Sequence, residues 1–426
     1  MRNKLVIAIL ALAPIFTNAQ LSGLLKKIKN KVDQRADKKV NEAIDNTLDQ
    51  VEGKKKDQAP GPQPAVTAQA PVSVTDEPVK SFAKYDFIPG EKILYSEDFA
   101  GESIGELPTG WNTSGSGEVV TLEKSPGKWL RVHHPFTYLT ANTKEFTENY
   151  TAEFDLILQL KNNGWMYPPF SCGFFATNGK PGTDNSFLKE YNKNAAVMAT
   201  IYPAEFGGSR VVLESFSEAA SYFKSEPKPY SELEKNYGKP VHIAIQVQKE
   251  RFRMWINETK VFDVPKAVGT KYKLNQLFFN VGHTNYNEEQ YGIYLSNIKM
   301  ATGAPDTRHK LIDEGRFSTT GILFDFASAV IKPGSFGVIS EIGTALKDNQ
   351  TVKIKVIGHT SNDGDDNANM ELSKRRAAAV KDLLVTEFGV AAASIETEGK
   401  GETQPVTDNN TQEGKMANRR VEFIKL

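Results

Sequence analysis

A chain of 426 residues has room for two or three domains. Its formal net charge of +0, with 24% charged residues, excludes a global field that would draw nucleic acid or an anionic surface. Affinity for charge has to be local. The single cysteine, Cys172, excludes an intrachain disulfide framework. Within the run Phe170-Ser171-Cys172-Gly173-Phe174-Phe175 it reads as a small buried hydrophobe.

Residues 1–19 have the pattern of an export signal. Arg2 and Lys4 form a positive start, Leu5 to Ala13 an apolar stretch, and Thr17-Asn18-Ala19 a small-residue cleavage site before Gln20. The apolar stretch is shorter than the roughly 20 residues that cross a bilayer. The only cysteine lies far downstream, so no acylation site is written at the cleavage point. The expectation is export without a lipid anchor.

Residues 20–56 predict an amphipathic helix. Leu21, Leu25, Ile28, Val32, Ala36, Val40, Ile44, Leu48 and Val51 recur at steps of three and four, giving one apolar stripe on a charged rod. The mostly four-residue steps argue against a plain left-handed heptad seam. An isolated helix is marginal in water. Its stripe therefore calls for self-association, for an envelope-protein partner or for a membrane surface, and the alternative is a solvated, partly frayed helix. Residues 57–90 turn to Pro, Ala, Gln and Lys, as in Gln58-Ala59-Pro60-Gly61-Pro62-Gln63-Pro64, and read as a semi-extended linker.

Residues 91–303 have the texture of a β protein. Period-two runs appear at Phe154/Leu156/Leu158/Leu160, Val241/Ile243/Ile245/Val247 and Phe252/Met254/Ile256. Arg251 to Pro265 reads as a hairpin turning at Asn257-Glu258. Leu94-Tyr95-Ser96-Glu97-Asp98-Phe99, Trp255-Ile256-Asn257 and Tyr294-Leu295-Ser296-Asn297-Ile298 resemble pieces of the concanavalin and laminin-G jelly rolls, which implies an all-β sandwich and a glycan as a candidate ligand. A transmembrane β-barrel is the competing fold, but Pro, Gly and charges interrupt most strands short of the 9–11 clean residues that spanning requires.

Two sharper features lie here. Some jelly rolls of this type are glycosidases with a Glu-x-Asp-x-x-Glu strand. Glu153-Phe154-Asp155-Leu156-Ile157-Leu158 supplies two acids and ends in leucine, so the paired carboxylates that hydrolysis needs are incomplete. A polar strand face is the plainer reading. Trp165-Met166-Tyr167-Pro168-Pro169-Phe170 is an aromatic loop that either stacks on a sugar or packs the sandwich edge.

From residue 317 to 426 the pattern changes again. Ile322 to Phe326 predicts a strand, and Pro333 opens a helix with Phe336, Ile339, Ile342 and Leu346 on one face. Val352 to Ile357 predicts a strand, and a helix opens near Asn369 with Leu372, Ala379, Val380, Leu383 and Phe388 inward. Gly389 stops that helix, and strands follow at Ile395 to Gly399 and Arg419 to Lys425. The order βαβαββ implies an α+β domain with two helices on one face of a sheet.

Phe324-Asp325-Phe326-Ala327-Ser328, Gly358-His359-Thr360, Leu372-Ser373-Lys374-Arg375-Arg376-Ala377, Gly399-Lys400-Gly401-Glu402-Thr403-Gln404-Pro405 and Asn418-Arg419-Arg420-Val421-Glu422 resemble, in order, the C-terminal domain of the OmpA family. The resemblance implies a Gram-negative envelope protein of the periplasm or outer membrane that holds peptidoglycan, with no catalytic role. The family's ligand is the diaminopimelate of the peptide stem, whose free end is a zwitterion. The family arginine falls on Arg376, whose planar fork suits a carboxylate. The family aspartate falls on Ser361, which has no charge. Asp363 is the nearest substitute for the ammonium, with Asp365 and Asp366 further along. Thr360, Asn369, which also reads as an N-cap, and Arg420 complete the predicted site, while His359 reads as framework. Asp363 to Asn369 superficially resembles a calcium loop, but Ala368 and Lys374 occupy the positions that require glycine and glutamate. No metal or cofactor is expected. The alternative function is a glycan-active enzyme in the sandwich, localised by the C-terminal domain.

Overall fold

A computed structural model describes residues 85–426 apart from 305 and 326. The export signal, the helix of residues 20–56 and the linker up to residue 84 lie outside the described residues.

The middle region is two antiparallel sheets of eight strands each. In the first, the spatial order is Thr259–Val264, Arg251–Ile256, Pro240–Gln248, Asn149–Leu160, Tyr291–Thr302, Ser125–Val132 and Gly117–Leu122, with Lys92–Glu97 also paired along Tyr291–Thr302. The second runs Ala220–Lys224, Arg210–Ser217, Ala195–Tyr202, Phe170–Phe175, Gln276–Val281, Thr137–Leu139 and Asn112–Thr113, with Lys228–Pro229 on Arg210–Ser217. Alternation puts Phe154, Ile243 and Leu295 of the first sheet and Phe174, Val197 and Phe279 of the second into one shared core. Two open sheets around an apolar interior replace the barrel alternative, whose apolar side would face outward. Cys172 is buried in this core, as expected, and burial pushes its thiol up to about 12. The hairpin is also where its pattern placed it. Arg251–Ile256 returns as Thr259–Val264, with Asn257 supplying the positive φ (+50°) that the turn requires.

The C-terminal domain consists of β1 (Arg316–Thr319), α1 (Phe336–Asp348), β2 (Ile354–Gly358), α2 (Asp366–Phe388), β3 (Ile395–Gly399), α3 (Gln412–Asn418) and β4 (Val421–Lys425). The sheet order is β1-β4-β2-β3, and only β2 and β3 are parallel. Three expectations need correction. The strand at Ile322 to Phe326 is a single bridge from Phe324 to Ile331, and the sheet's first strand is Arg316–Thr319. The helix α3 interrupts the predicted pair of final strands. The buried face of α2 is Asn369, Ser373, Ala377, Val380 and Leu384, one step round from the leucine-rich face, with Leu383 and Phe388 only partly covered. Small residues win that face because the helix sits hard against the strands. A Cβ on Gly358 would collide with the Ser373 carbonyl, and one on Gly399 with Ser373 and Lys374.

The two parts are joined by more than chain. Phe87 packs edge-on to Trp255 of the sandwich at 5.2 Å, and its carbonyl occupies the space that a side chain on Gly337 of α1 would need. On α3, Glu413 accepts a hydrogen bond from Ser96 N (3.3 Å), and Met416 sulfur lies 3.4 Å from Ser96 Oγ.

Candidate functional site

The loop between β2 and α2 carries the predicted site residues. Its register is set by two backbone bonds that clamp the end of β2: His359 N donates to Arg420 O (3.0 Å) and Thr360 N to Gly401 O (2.9 Å). Asp365 caps α2, accepting from Ala368 N at 3.0 Å. Asn369 is therefore not the N-cap. It lies buried in the first turn, and its amide Nδ2 donates to Ser361 O (3.3 Å), Asp363 O (3.1 Å) and Glu402 Oε2 (2.6 Å). Ser361 itself is buried, and Thr360 Oγ1 is buried without a hydrogen-bond partner.

Arg376 lies seven residues beyond Asn369, two helical turns along the same side. Its Nε donates to Ser328 O at 2.9 Å, and its guanidinium sits over the Phe324 ring at 4.7 Å. Burial, with the charges of Arg419 and Arg375, pushes its pKa down to about 10, so it remains cationic at neutral pH. Among the described residues its guanidinium forms no ion pair with a carboxylate. A desolvated cation without a counter-ion is an electrostatic demand that an anionic ligand would meet.

Asp363 is not free in the same way. Lys415 Nζ of α3 lies 2.6 Å from Oδ1, Arg419 Nη1 3.5 Å from Oδ2, and Ser361 Oγ donates to Oδ2 at 3.0 Å. Partial burial opposes its charge, but the bonds from Lys415 and Ser361 and the charges of Lys415 and Arg419 hold its pKa below the usual carboxylate range. The sequence suggested Asp363 for its position; it gave no sign of Lys415 and Arg419, more than fifty residues on, which the short α3 brings across.

Arg420 is occupied by partners within the domain. It is buried, with Nε and Nη2 on Glu422 Oε1 (2.8 and 2.5 Å) and Nη2 on Gln404 O (3.0 Å). It serves the framework, as does His359. The His359 Nε2 lies 3.4 Å from Glu422 Oε1, and burial plus the nearby Arg420 charge push its pKa down to about 4, keeping it neutral. Among the described residues no cluster of His, Cys, Asp and Glu has the makings of a metal site.

In the sandwich, the two acids of the incomplete glycosidase strand are tied down. Glu153 Oε1 is 2.7 Å from Lys299 Nζ, with side chains 4% and 5% exposed. His242 bridges Asp155 (2.8 Å) and Glu153 (3.5 Å). Burial works against charge on His242, but hydrogen bonds and charge from Asp155 and Glu153 outweigh it and raise its pKa to about 9.

The family is fixed by comparison with known proteins. Residues 323–419 match the model of the OmpA family. The chain is 38% identical over 117 residues to the outer-membrane lipoprotein YfiB of Pseudomonas aeruginosa, covering 69% of that protein and 27% of this chain. It is 42% identical over 101 residues to outer membrane porin F of the same species, but spans only 29% of that protein's length and 24% of its own. A third relative, the peptidoglycan-binding protein ArfA of Mycobacterium bovis, is 35% identical over 103 residues, 31% of its length and 24% of this chain. The chain belongs to the OmpA family through its C-terminal domain.

Proposed function

We propose that this is a non-enzymatic envelope protein that anchors to peptidoglycan through its C-terminal domain, with Arg376 receiving the free carboxylate of a diaminopimelate stem. The observation that carries this reading is the state of Arg376: charged, half-buried and stacked on Phe324, with no carboxylate partner among the described residues. Thr360 and Asn369 stand at the same site, and relatives of the domain are named as outer membrane and peptidoglycan-binding proteins. The test is co-sedimentation of the full chain with sacculi carrying diaminopimelate stems. Arg376→Ala is expected to weaken binding about 10- to 100-fold, the worth of one charge-assisted hydrogen-bonded pair, measured at a temperature where both proteins remain folded. Equal binding by both proteins overturns the assignment.

In this reading the sandwich is a concanavalin-like jelly roll that serves as a second binding module. Trp165 (56% exposed), Met166 (88%) and Phe206 (98%) support it. They lie on two loops laced together by Glu205, which accepts from Asn162 Nδ2 (2.5 Å) and Tyr167 hydroxyl (2.7 Å). Phe206 is held at φ +56°, a conformation that bulky residues rarely adopt. The Trp165 loop was expected either to stack on a sugar or to pack an edge; Tyr167 packs, while its two neighbours project. The loops sit at the end of the sheets opposite Lys92 and Thr302, where the chain enters and leaves. A glycan array comparing the parent with Trp165→Ala/Phe206→Ala tests this: loss of a parental signal supports it, and sugar turnover by the parent would replace the non-enzymatic reading.

A further inference from the structure

Resting on the peptidoglycan reading, we infer that Glu402, rather than Asp363, is the acid that receives the ligand's ammonium. A zwitterion clamp needs one unneutralised anion beside one unneutralised cation. Asp363 does not qualify, because Lys415 and Arg419 already hold its two oxygens and Ser361 donates to one of them. An ammonium arriving there would compete with two tethered cations. The position that carries the family aspartate is Ser361, which is uncharged and buried.

Glu402 fills the missing charge from another element. It follows β3 on the turn whose Gly401 carbonyl accepts from Thr360 N and whose Gly401 N donates to Ser373 Oγ (2.9 Å). Those bonds fix the turn against the start of α2. The Glu402 carboxylate then meets Asn369 Nδ2 at 2.6 Å, the same nitrogen that lies 3.3 Å from Ser361 O. One amide thus holds a carboxylate against the backbone of Ser361. Among the described residues no lysine, arginine or histidine pairs with Glu402, and its side chain is only partly covered. The buried, unpartnered Thr360 hydroxyl stands next to Ser361 in the chain and adds a group able to accept from an ammonium. Glu402 is thus an anion without an ionic partner among the described residues at the start of α2, and Arg376 is a cation in the same state two turns along that helix.

The experiment uses the full chain and two preparations of diaminopimelate sacculi, one untreated and one with its free amino groups N-acetylated. The parent is expected to bind untreated sacculi about 10-fold or more tighter than acetylated ones. Glu402→Gln keeps an oxygen for Asn369 but removes the charge, and should bind both preparations equally with an unchanged melting temperature. Glu402→Lys should reverse the preference. Asp363→Asn should retain the parental discrimination. If Glu402→Gln still discriminates, or if Asp363→Asn alone abolishes discrimination, the assignment is overturned. Failure of the parent to bind either preparation is a different result, overturning the peptidoglycan reading and this one with it.

Discussion

Among the described residues, two groups of acids and bases differ in how far their charges are matched. On the sandwich, Glu153, Asp155, His242 and Lys299 neutralise one another on a face that water hardly reaches. At the start of α2, Asp363 is held by Lys415 and Arg419, but Arg376 and Glu402 have no ionic partner among the described residues and are only partly covered. The first cluster has the more suggestive sequence, two thirds of a glycosidase motif. It is nevertheless closed: each charge has its complement within the protein, and a substrate would have to displace one. The second has a broken motif, with serine where an acid is expected, yet it keeps two charges open. What separates the two groups is the balance of charge after folding, not the list of residues.

The difference can be broken most sharply at Lys299. Removing one partner of a buried ion pair strands the other, at a cost of about 3–5 kcal/mol. Lys299→Met should lower unfolding free energy in a denaturant titration by that amount, and Glu153→Gln in the same chain should recover most of it. A loss under about 1 kcal/mol would show that water reaches Glu153 and that the cluster is not closed.

Acidity offers the second test. His242 has a folded pKa of about 9, above its unfolded value near 6.5, so its contribution is complete below pH 6.5 and is lost as pH rises through 9. His359 runs the other way. Its folded value near 4 lies below the unfolded one, so stability falls as pH drops from 6.5 toward 4. Melting curves against pH should show His242→Gln flattening the alkaline limb, by at most on the order of 3 kcal/mol, and His359→Gln flattening the acid limb. Interchange of these two effects would show that the charge states have been assigned the wrong way round.

The sequence made some of this legible and hid the rest for physical reasons. Period-two alternation located the core strands and the hairpin at Asn257, because a strand's two faces are written two residues apart. Arg376 was singled out by the resemblance of Leu372 to Ala377 to the OmpA family motif, and the structure leaves it without an ion-pair partner among the described residues. Burial of Ser373 and Ala377 in place of the larger Leu372 was hidden, since it depends on how closely α2 approaches Gly358 and Gly399. The first strand was misplaced because Ile322 to Phe326 is as apolar as a strand, but its backbone finds a partner only at Ile331. Charge balance was the least legible. Lys415, Arg419 and Glu402 reach the loop from distant elements, and α3, only seven residues long, has no apolar stripe strong enough to reveal it.

The smallest effect in stability is expected at Lys415, and it discriminates most finely between the two acids of the open cluster. The Lys415–Asp363 pair is partly exposed, so Lys415→Ala should cost no more than about 1 kcal/mol, in contrast to Lys299. Its consequence for binding depends on which carboxylate meets the ammonium. If Asp363 does, removing its principal cation frees an oxygen, and the preference for untreated over N-acetylated sacculi should grow several-fold. If Glu402 does, Asp363 remains held by Arg419 and Ser361 away from the ligand, and that preference should stay within about twofold of the parent. Measured beside Glu402→Gln, the same variant tests whether α3 stores its positive charge to occupy Asp363, leaving the anionic role to the turn after β3.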